Sequence, residues 1–210
     1  VATELADSGG LEAVTMRRVA EELGVEAMSL YHHTPNKDAV LSGMVDVVFA
    51  EVLLEADSVA PGAWQATLRA RILAARRVML RHPWAPQVVE SRPGPGLQMA
   101  RWVDAVVGVL KRGGFSNDTI HHAMHALGSR QFGFVQEIGD GSGGPPADME
   151  AMAPLIPNLV EMLMDVSHGD PSTTLGWCDD QEEFEFGLDL MLDGLERVRS
   201  SAVGGVVQDL

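Results

Sequence analysis

The residues of this chain that could do chemistry fall in two places. Between Thr15 and Lys37, two arginines, two threonines, a serine, a tyrosine, two histidines and a lysine stand within TMRRVAEELGVEAMSLYHHTPNK. These are hydrogen-bond donors suited to phosphate oxygens and base edges. Further on lie His121, His122 and His125. His121 and His125 are i, i+4 and share one helix face, a spacing adequate for a metal pair. No Glu-x-x-His carboxylate set surrounds them, as a di-iron bundle needs. No Ser/His/Asp or Cys/His order suggests covalent catalysis, and no glycine-rich phosphate loop is present. The expectation is a binding protein without a catalytic residue, cofactor or obligatory metal.

Helices must position the first group. Met16, Val19, Ala20 and Leu23 recur at i, i+3, i+4, i+7, one apolar face of a helix over about Met16 to Leu23. Thr15 is placed to cap its start. Gly24 stands where that helix must stop, because glycine tolerates the left-handed conformation that ends helices, and Val25 plugs the turn. The next helix, about Ala27 to His32, is too short to fold alone and exposes small and polar groups. Such a helix suits the major groove of DNA. Thr34-Pro35 reads as an N-cap followed by proline at the first helical position, opening a long helix from Pro35 to about Ala56.

This segment resembles the helix-turn-helix of the tetracycline-repressor (TetR) family. The match lies in Thr15, Arg17 and Ala20, then Leu23-Gly24-Val25, then Ser29-Leu30-Tyr31, then Lys37 before the long helix. The resemblance implies that the planar fork of Arg17 reads guanine O6 and N7. It implies that Tyr31 meets phosphate or a thymine methyl, and that Thr15, Ser29 and Lys37 hold phosphates. Ala27 and Met28 occupy base-reading positions without strong hydrogen-bonding groups, and His32 extends the same surface.

The chain has 210 residues, 46% of them hydrophobic. With helical patterning throughout, this implies an all-α protein with a substantial core. A single cysteine, Cys178, excludes a disulfide framework and a cysteine-rich zinc module. The sequence shows no membrane-length apolar run and no signal pattern, so a cytoplasmic protein with no membrane partner is expected. The formal net charge of −15 runs against DNA binding. Residues 1–55 hold three basic residues, Arg17, Arg18 and Lys37, against ten acids, a balance of −7. In the family the first helix starts earlier than Val1, and residues ahead of it often carry positive charge. The acidic remainder would repel DNA from every surface but one.

Residues 1 to about 10 read as the tail of a first helix, ended by Gly9-Gly10. After Pro61-Gly62, a helix from about Ala63 to His82 carries Arg69, Arg71, Arg76, Arg77 and Arg81, read here as a solvated face. Prolines 83, 86, 93 and 95 punctuate a short irregular segment. A helix over Leu97 to Arg112 is closed by Gly113-Gly114. Ser116 caps the next, which runs to about Ile138. Gly139 to Asp148 reads as a flexible linker, about Leu155 to His168 as a helix, Gly169 to Gly176 as a second flexible stretch, and about Gln181 to Val198 as the last helix. This gives a helix-turn-helix DNA-binding head over 1–45, a helical effector-binding and dimerisation domain over 46–200, and a tail over 201–210.

The resemblance continues in Gly114-Phe115-Ser116, Ala123 to Gly128, Gly133-Phe134-Val135 with Glu137, and Phe184 to Glu196. It implies that the two long C-terminal helices pair with those of a second subunit. Gly128, Gly133, Gly187 and Gly194 each cost about 1 kcal/mol against alanine in a helix, tolerable where another backbone comes close. Leu188, Met191, Leu192 and Leu195 form an apolar stripe. Gly128, Gly187, Leu188, Met191 and Leu195 are the expected dimer contacts.

Departures from the tetracycline repressor concern the effector. Val88 or Val89 falls where that repressor has a metal-binding histidine. Its drug-orienting polar residues align with Leu53 and Arg71, and only Ser91 and Glu137 keep oxygens at matching metal-site positions. Met79, Trp84, Met99, Trp102, Met124, Phe132 and Phe134 suggest a cavity for a hydrophobic or aromatic small molecule, with Arg71 or Arg92 as an anchor for an acidic group. The reading is a dimeric, ligand-responsive repressor on a palindromic double-stranded DNA operator. The alternative is a helical small-molecule or metal-binding protein, built on His121 and His125, without DNA-binding activity.

Overall fold

The computed structural model describes residues 1–60, 62–92, 94–136, 153–158, 160–161 and 180–205. All regular structure among them is helical. The head comprises α1 (Ala2–Ala13), α2 (Met16–Glu22) and α3 (Ala27–His33), and α4 (Lys37–Asp57) runs from it into the body. The body continues with α5 (Trp64–Arg81), α6 (Ala85–Glu90), α7 (Leu97–Arg112), α8 (Asn117–Gln136) and α9 (Asp180–Gly205). The expected linker over Gly139 to Asp148, the stretch Gly169 to Gly176 and most of the helix from Leu155 to His168 lie outside the described residues.

Two turns show why the periodicity breaks where it does. At the end of α2, Gly24 takes φ +68°, Val25 N–H donates to Ala20 O at 3.0 Å and Gly24 N–H to Glu21 O at 3.1 Å. This is the paired-bond ending that satisfies orphan carbonyls and needs a left-handed residue. At the end of α7, Gly114 takes φ +85°, with Phe115 N–H on Leu110 O and Gly114 N–H on Lys111 O. Phe115 and Leu110 are both buried there.

Three sequence expectations are corrected. Gly10 kinks α1 (φ 69°, ψ −180°), and a further turn continues to Ala13. Asn36, not Thr34, caps α4, its Oδ1 accepting from Ala39 N–H at 2.9 Å; Thr34 is already the extended C-cap of α3. The arginines of α5 are a solvated face only in part: Arg77 and Arg81 are exposed, Arg69 and Arg71 half-buried and Arg76 buried. Arg69 is paired to Glu185 and Asp189 of α9, Arg71 to Asp57, and Arg77 and Arg81 to Glu55. Arg76 is 2% exposed, lies 4.3 Å over the Phe184 ring and donates from Nε to Gln181 Oε1. These contacts fasten α5 to α4 and α9.

The core is continuous from head to body. Val14 and Val19 join Val48, Phe49 and Val52 of α4, Leu68 and Met79 of α5, Val88 of α6, Leu110 of α7 and Phe184 and Leu188 of α9. Among the described residues, no helix is long and apolar enough to cross a membrane.

Candidate nucleic-acid interface

The head presents α3 on a support made by α2. Thr15 Oγ1 accepts from Arg18 N–H at 3.1 Å, fixing the first turn of α2. Val19 and Ala20 face inward, which leaves Arg17 and Arg18 pointing outward. The Arg17 side chain is 87% exposed and pairs with Glu21, one turn on, at 2.8 Å. Arg18 pairs likewise with Glu22 at 3.1 Å. In α3, none of the seven residues is buried. Met28, Ser29, Tyr31 and His32 are exposed and Ala27 half-buried.

Lys37 departs from a plain phosphate-facing role. It is half-buried, and its ammonium donates to Leu11 O at 3.2 Å, tacking the start of α4 to the end of α1. Two of its three donors remain.

In the body, the expected effector residues divide by burial. Met79, Val88 and Trp102 are buried core residues; Leu53, Met99 and Met124 pack against that core. The Arg71 guanidinium stands 5.8 Å from the Trp102 ring, donates to Ala56 O and Asp57, and keeps a buried Nε without a hydrogen-bond partner among the described residues. Arg92 donates to Asp38 O near the start of α4 and also keeps a buried Nε that has no partner among the described residues. Ser91 is exposed and its hydroxyl is turned back onto Val88 O at 2.9 Å. Trp84, expected in the lining, instead donates its indole N–H to Asp7 Oδ1. The side chain of Phe132 and all of Glu137 lie outside the described residues.

A cavity of about 140 Å³ lies between α4, α6 and the start of α7, lined by Val45, Asp46, Val89, Arg92 and Met99 among others. Asp46 closes it. Its carboxylate stands so near Gly96 that a Cβ there would collide, and it accepts from Gln98 N–H at 3.4 Å. Asp46 thus serves the start of α7, where Gly96 has no side chain to cap it.

The expected dimer contacts also divide. Leu188 is 0% exposed in the core of its own subunit, because its stripe turns toward α5 and α8; it is not a surface residue. Gly187 sits against the Arg130 guanidinium of the same subunit. Met191, Gly194, Leu195 and Val198 of α9, with Ala123, Ala126 and Leu127 of α8, line an apolar groove of about 540 Å³. Gly128 has open space above it. Sequence reasoning did not single out Val198 for this groove; it continues the Met191 and Leu195 face one turn on.

His121, His122 and His125 are exposed on α8. The rings of His121 and His125 meet edge to face at 4.7 Å. Among the described residues, no group of three or more His, Cys, Asp or Glu could hold a metal ion.

Residues 1–44 match the family of bacterial regulatory proteins described as tetR, and residues 59–199 match the tetracyclin repressor-like C-terminal domain. The HTH-type transcriptional repressor DrrR1 of Streptomyces coeruleorubidus is 32% identical over 204 residues, covering 93% of this chain and 74% of that protein. The class A tetracycline repressor from transposon 1721 of Escherichia coli is 26% identical over 200 residues, covering 94% and 88%. A possible TetR family regulator from Streptomyces coelicolor superposes with TM-score 0.76 at 28% identity, covering 94% and 96%. ActR of the same organism, in complex with actinorhodin, superposes with TM-score 0.72 at 25% identity, covering 92% and 91%.

Proposed function

Because the chain belongs to the tetR family of bacterial regulatory proteins, and so is a transcriptional regulator and not an enzyme, we propose that it is a dimeric repressor that binds a palindromic operator through α3 and leaves it when a hydrophobic or aromatic small molecule fills the body. The observation that carries this reading is α3 itself. A seven-residue helix with no buried residue is too short to persist for its own sake. It is held in place by the closed turn at Gly24, and what it presents is its outer surface. Met28, Ser29, Tyr31 and His32 are exposed on it, and Arg17 is exposed on the preceding helix α2.

A single head reads only half a site, so affinity and specificity call for two-fold symmetry. The apolar groove between α8 and α9 is the surface that supports this, with the same groove of a second copy as its occupant. For the effector, Val88 and Val89 offer no metal ligand, and Trp102 and Met99 offer apolar, polarizable surface beside the Arg71 and Arg92 guanidiniums. ActR of Streptomyces coelicolor, in complex with actinorhodin, shares this fold, which supports a small-molecule effector here.

The test is selection of bound sequences from randomised duplex DNA. The expected product is an inverted repeat. Arg17→Ala should cost about 1–3 kcal/mol and relax preference at one position per half-site. Unchanged affinity and preference in that variant would overturn the docking. Titration with tetracycline and magnesium, beside a panel of aromatic polyketides, tests the effector. Tight, chelator-sensitive tetracycline binding would overturn the metal-free reading.

A further inference from the structure

We infer that Asp7, His82 and Trp84 form a strap that fixes the angle of the head on the body, and that this strap sets the operator spacing the protein accepts. The consequence for DNA rests on the repressor reading above; the strap itself rests on geometry.

Asp7 lies in the middle of α1, in the head. Its Oδ1 accepts from Trp84 Nε1 at 2.7 Å and stands 2.8 Å from His82 Nδ1. The other nitrogen of His82 stands 3.3 Å from Glu51 Oε2 of α4. His82 and Trp84 are both buried, and they flank Pro83 at the corner where α5 ends and α6 begins. His82 is the C-cap of α5 and Trp84 the N-cap of α6. One head carboxylate therefore engages both sides of a body corner, across 75 and 77 residues of sequence. Buried donors facing a carboxylate are costly to leave unpaired.

Beyond the packing of the shared core and the contact of Arg92 with Asp38 O, two links join the head to the body. One is covalent, the continuous helix α4. The other is α1, held to the body through Asp7 and to the start of α4 through Lys37 on Leu11 O. A head hinged on α4 alone can swing; a head also strapped through α1 cannot do so without breaking the Asp7 contacts. The body end of the strap opens α6, whose Val88 lies in the core one turn on. A shift of α6 pulls on α1 directly, alongside the contact of Arg92 with Asp38 O.

The experiment uses Asp7→Ala, which removes both contacts, and Trp84→Phe, which removes the indole N–H together with part of the buried ring and leaves the contact of His82 with Asp7. The probes are duplexes carrying the inverted repeat that the wild-type protein selects, with the centre lengthened or shortened one base pair at a time. Wild type should discriminate sharply against altered spacing. That discrimination should fall by about ten-fold in Trp84→Phe, the equivalent of one charge-assisted hydrogen bond, and by at least as much in Asp7→Ala, while the salt dependence of binding stays the same. A loss of stability alone would lower the active fraction and leave the spacing profile intact. Folded variants with the wild-type spacing profile would overturn the strap. Hydrogen exchange gives a reading without DNA. Faster exchange across α1 to α3 in both variants, with α5 and α7 unchanged, supports the strap; unchanged exchange across α1 to α3 overturns it. A wild-type protein that binds no DNA would tell against the repressor reading, and exchange would still decide the strap.

Discussion

The head and the body use arginine in opposite ways. In the head, Arg17 and Arg18 pair with glutamates one turn along the same helix and remain largely exposed. Such pairs contribute about 0.2–0.5 kcal/mol each and restrain nothing beyond their own helix. In the body, Arg69 reaches Glu185 at 2.6 Å and Asp189 at 2.7 Å, both on α9. Arg76 is buried against Phe184. These contacts join elements more than a hundred residues apart, so Arg69 and Arg76 are used in holding α9 to α5. The head's basic charge stays available to a partner. The net charge of −15 averages over these two uses and says little about either.

The contrast should be largest in stability. Phe184 is 0% exposed, with the Arg76 guanidinium 4.3 Å and the Arg130 guanidinium 5.3 Å from its ring. Phe184→Ala should cost about 3–5 kcal/mol in urea unfolding. Met28→Ala, at a position 68% exposed in the head, should stay within about 0.5 kcal/mol. Equal costs would break the distinction between a bound body and an open head.

Assembly comes next. Leu195→Glu places a charge in the apolar groove between α8 and α9 without touching Leu188 or Leu192 in the core. Sedimentation should show a folded monomer at concentrations where wild type is a dimer, and operator binding should weaken with it. A monomer that binds operator as wild type does would remove the groove from the argument.

A smaller effect concerns pH. The Glu185 carboxyl is held below its ordinary value of 4.5 because Gln181 and then Arg69 donate to it, against the opposing effect of burial. A carboxyl whose folded value is depressed adds stability that is present above the unfolded value and lost as pH falls through the folded one. Wild type should therefore lose stability on acidification below about pH 4.5. Glu185→Gln should be less stable at neutral pH, by ~0.5 kcal/mol or less for so exposed a pair, and should lose less on acidification. An identical pH profile in the two proteins would show that α9 is held by packing alone.

What was legible in the sequence follows from the range of each interaction. The helix from Leu97 to Arg112 and the turns at Gly24 and Gly114 are written locally, in periodicity and glycine placement. The cap of α4 is also local, but two candidates stand two residues apart. Thr34 is occupied in ending α3, so Asn36 takes the role. Periodicity shows that Leu188, Met191, Leu192 and Leu195 share a face; it cannot show that Leu188 and Leu192 face the subunit's own core while Met191 and Leu195 line the groove. The arginines of α5 have no local partners in sequence, since their carboxylates lie on α4 and α9. Asp7 and Trp84 are far apart in the chain, and no spacing rule joins them.

The smallest expected effect is the sharpest test of the head. To reach a base edge, Arg17 must leave Glu21, which stands 2.8 Å from it with both side chains more than half exposed. Glu21→Gln removes that competing partner and one negative charge from the surface that meets phosphates. The pair itself is worth about 0.2–0.5 kcal/mol, so operator binding should tighten by about two-fold at low salt. Screening weakens exposed pairs, so the gain should shrink as salt rises. Stability should change within the same small range. A large loss of operator affinity would mean that Glu21 orients Arg17 for its base contact and does not compete with it. The head would then share the body's habit of fixing its arginines, and the comparison between the two regions would fail at its most exposed residue.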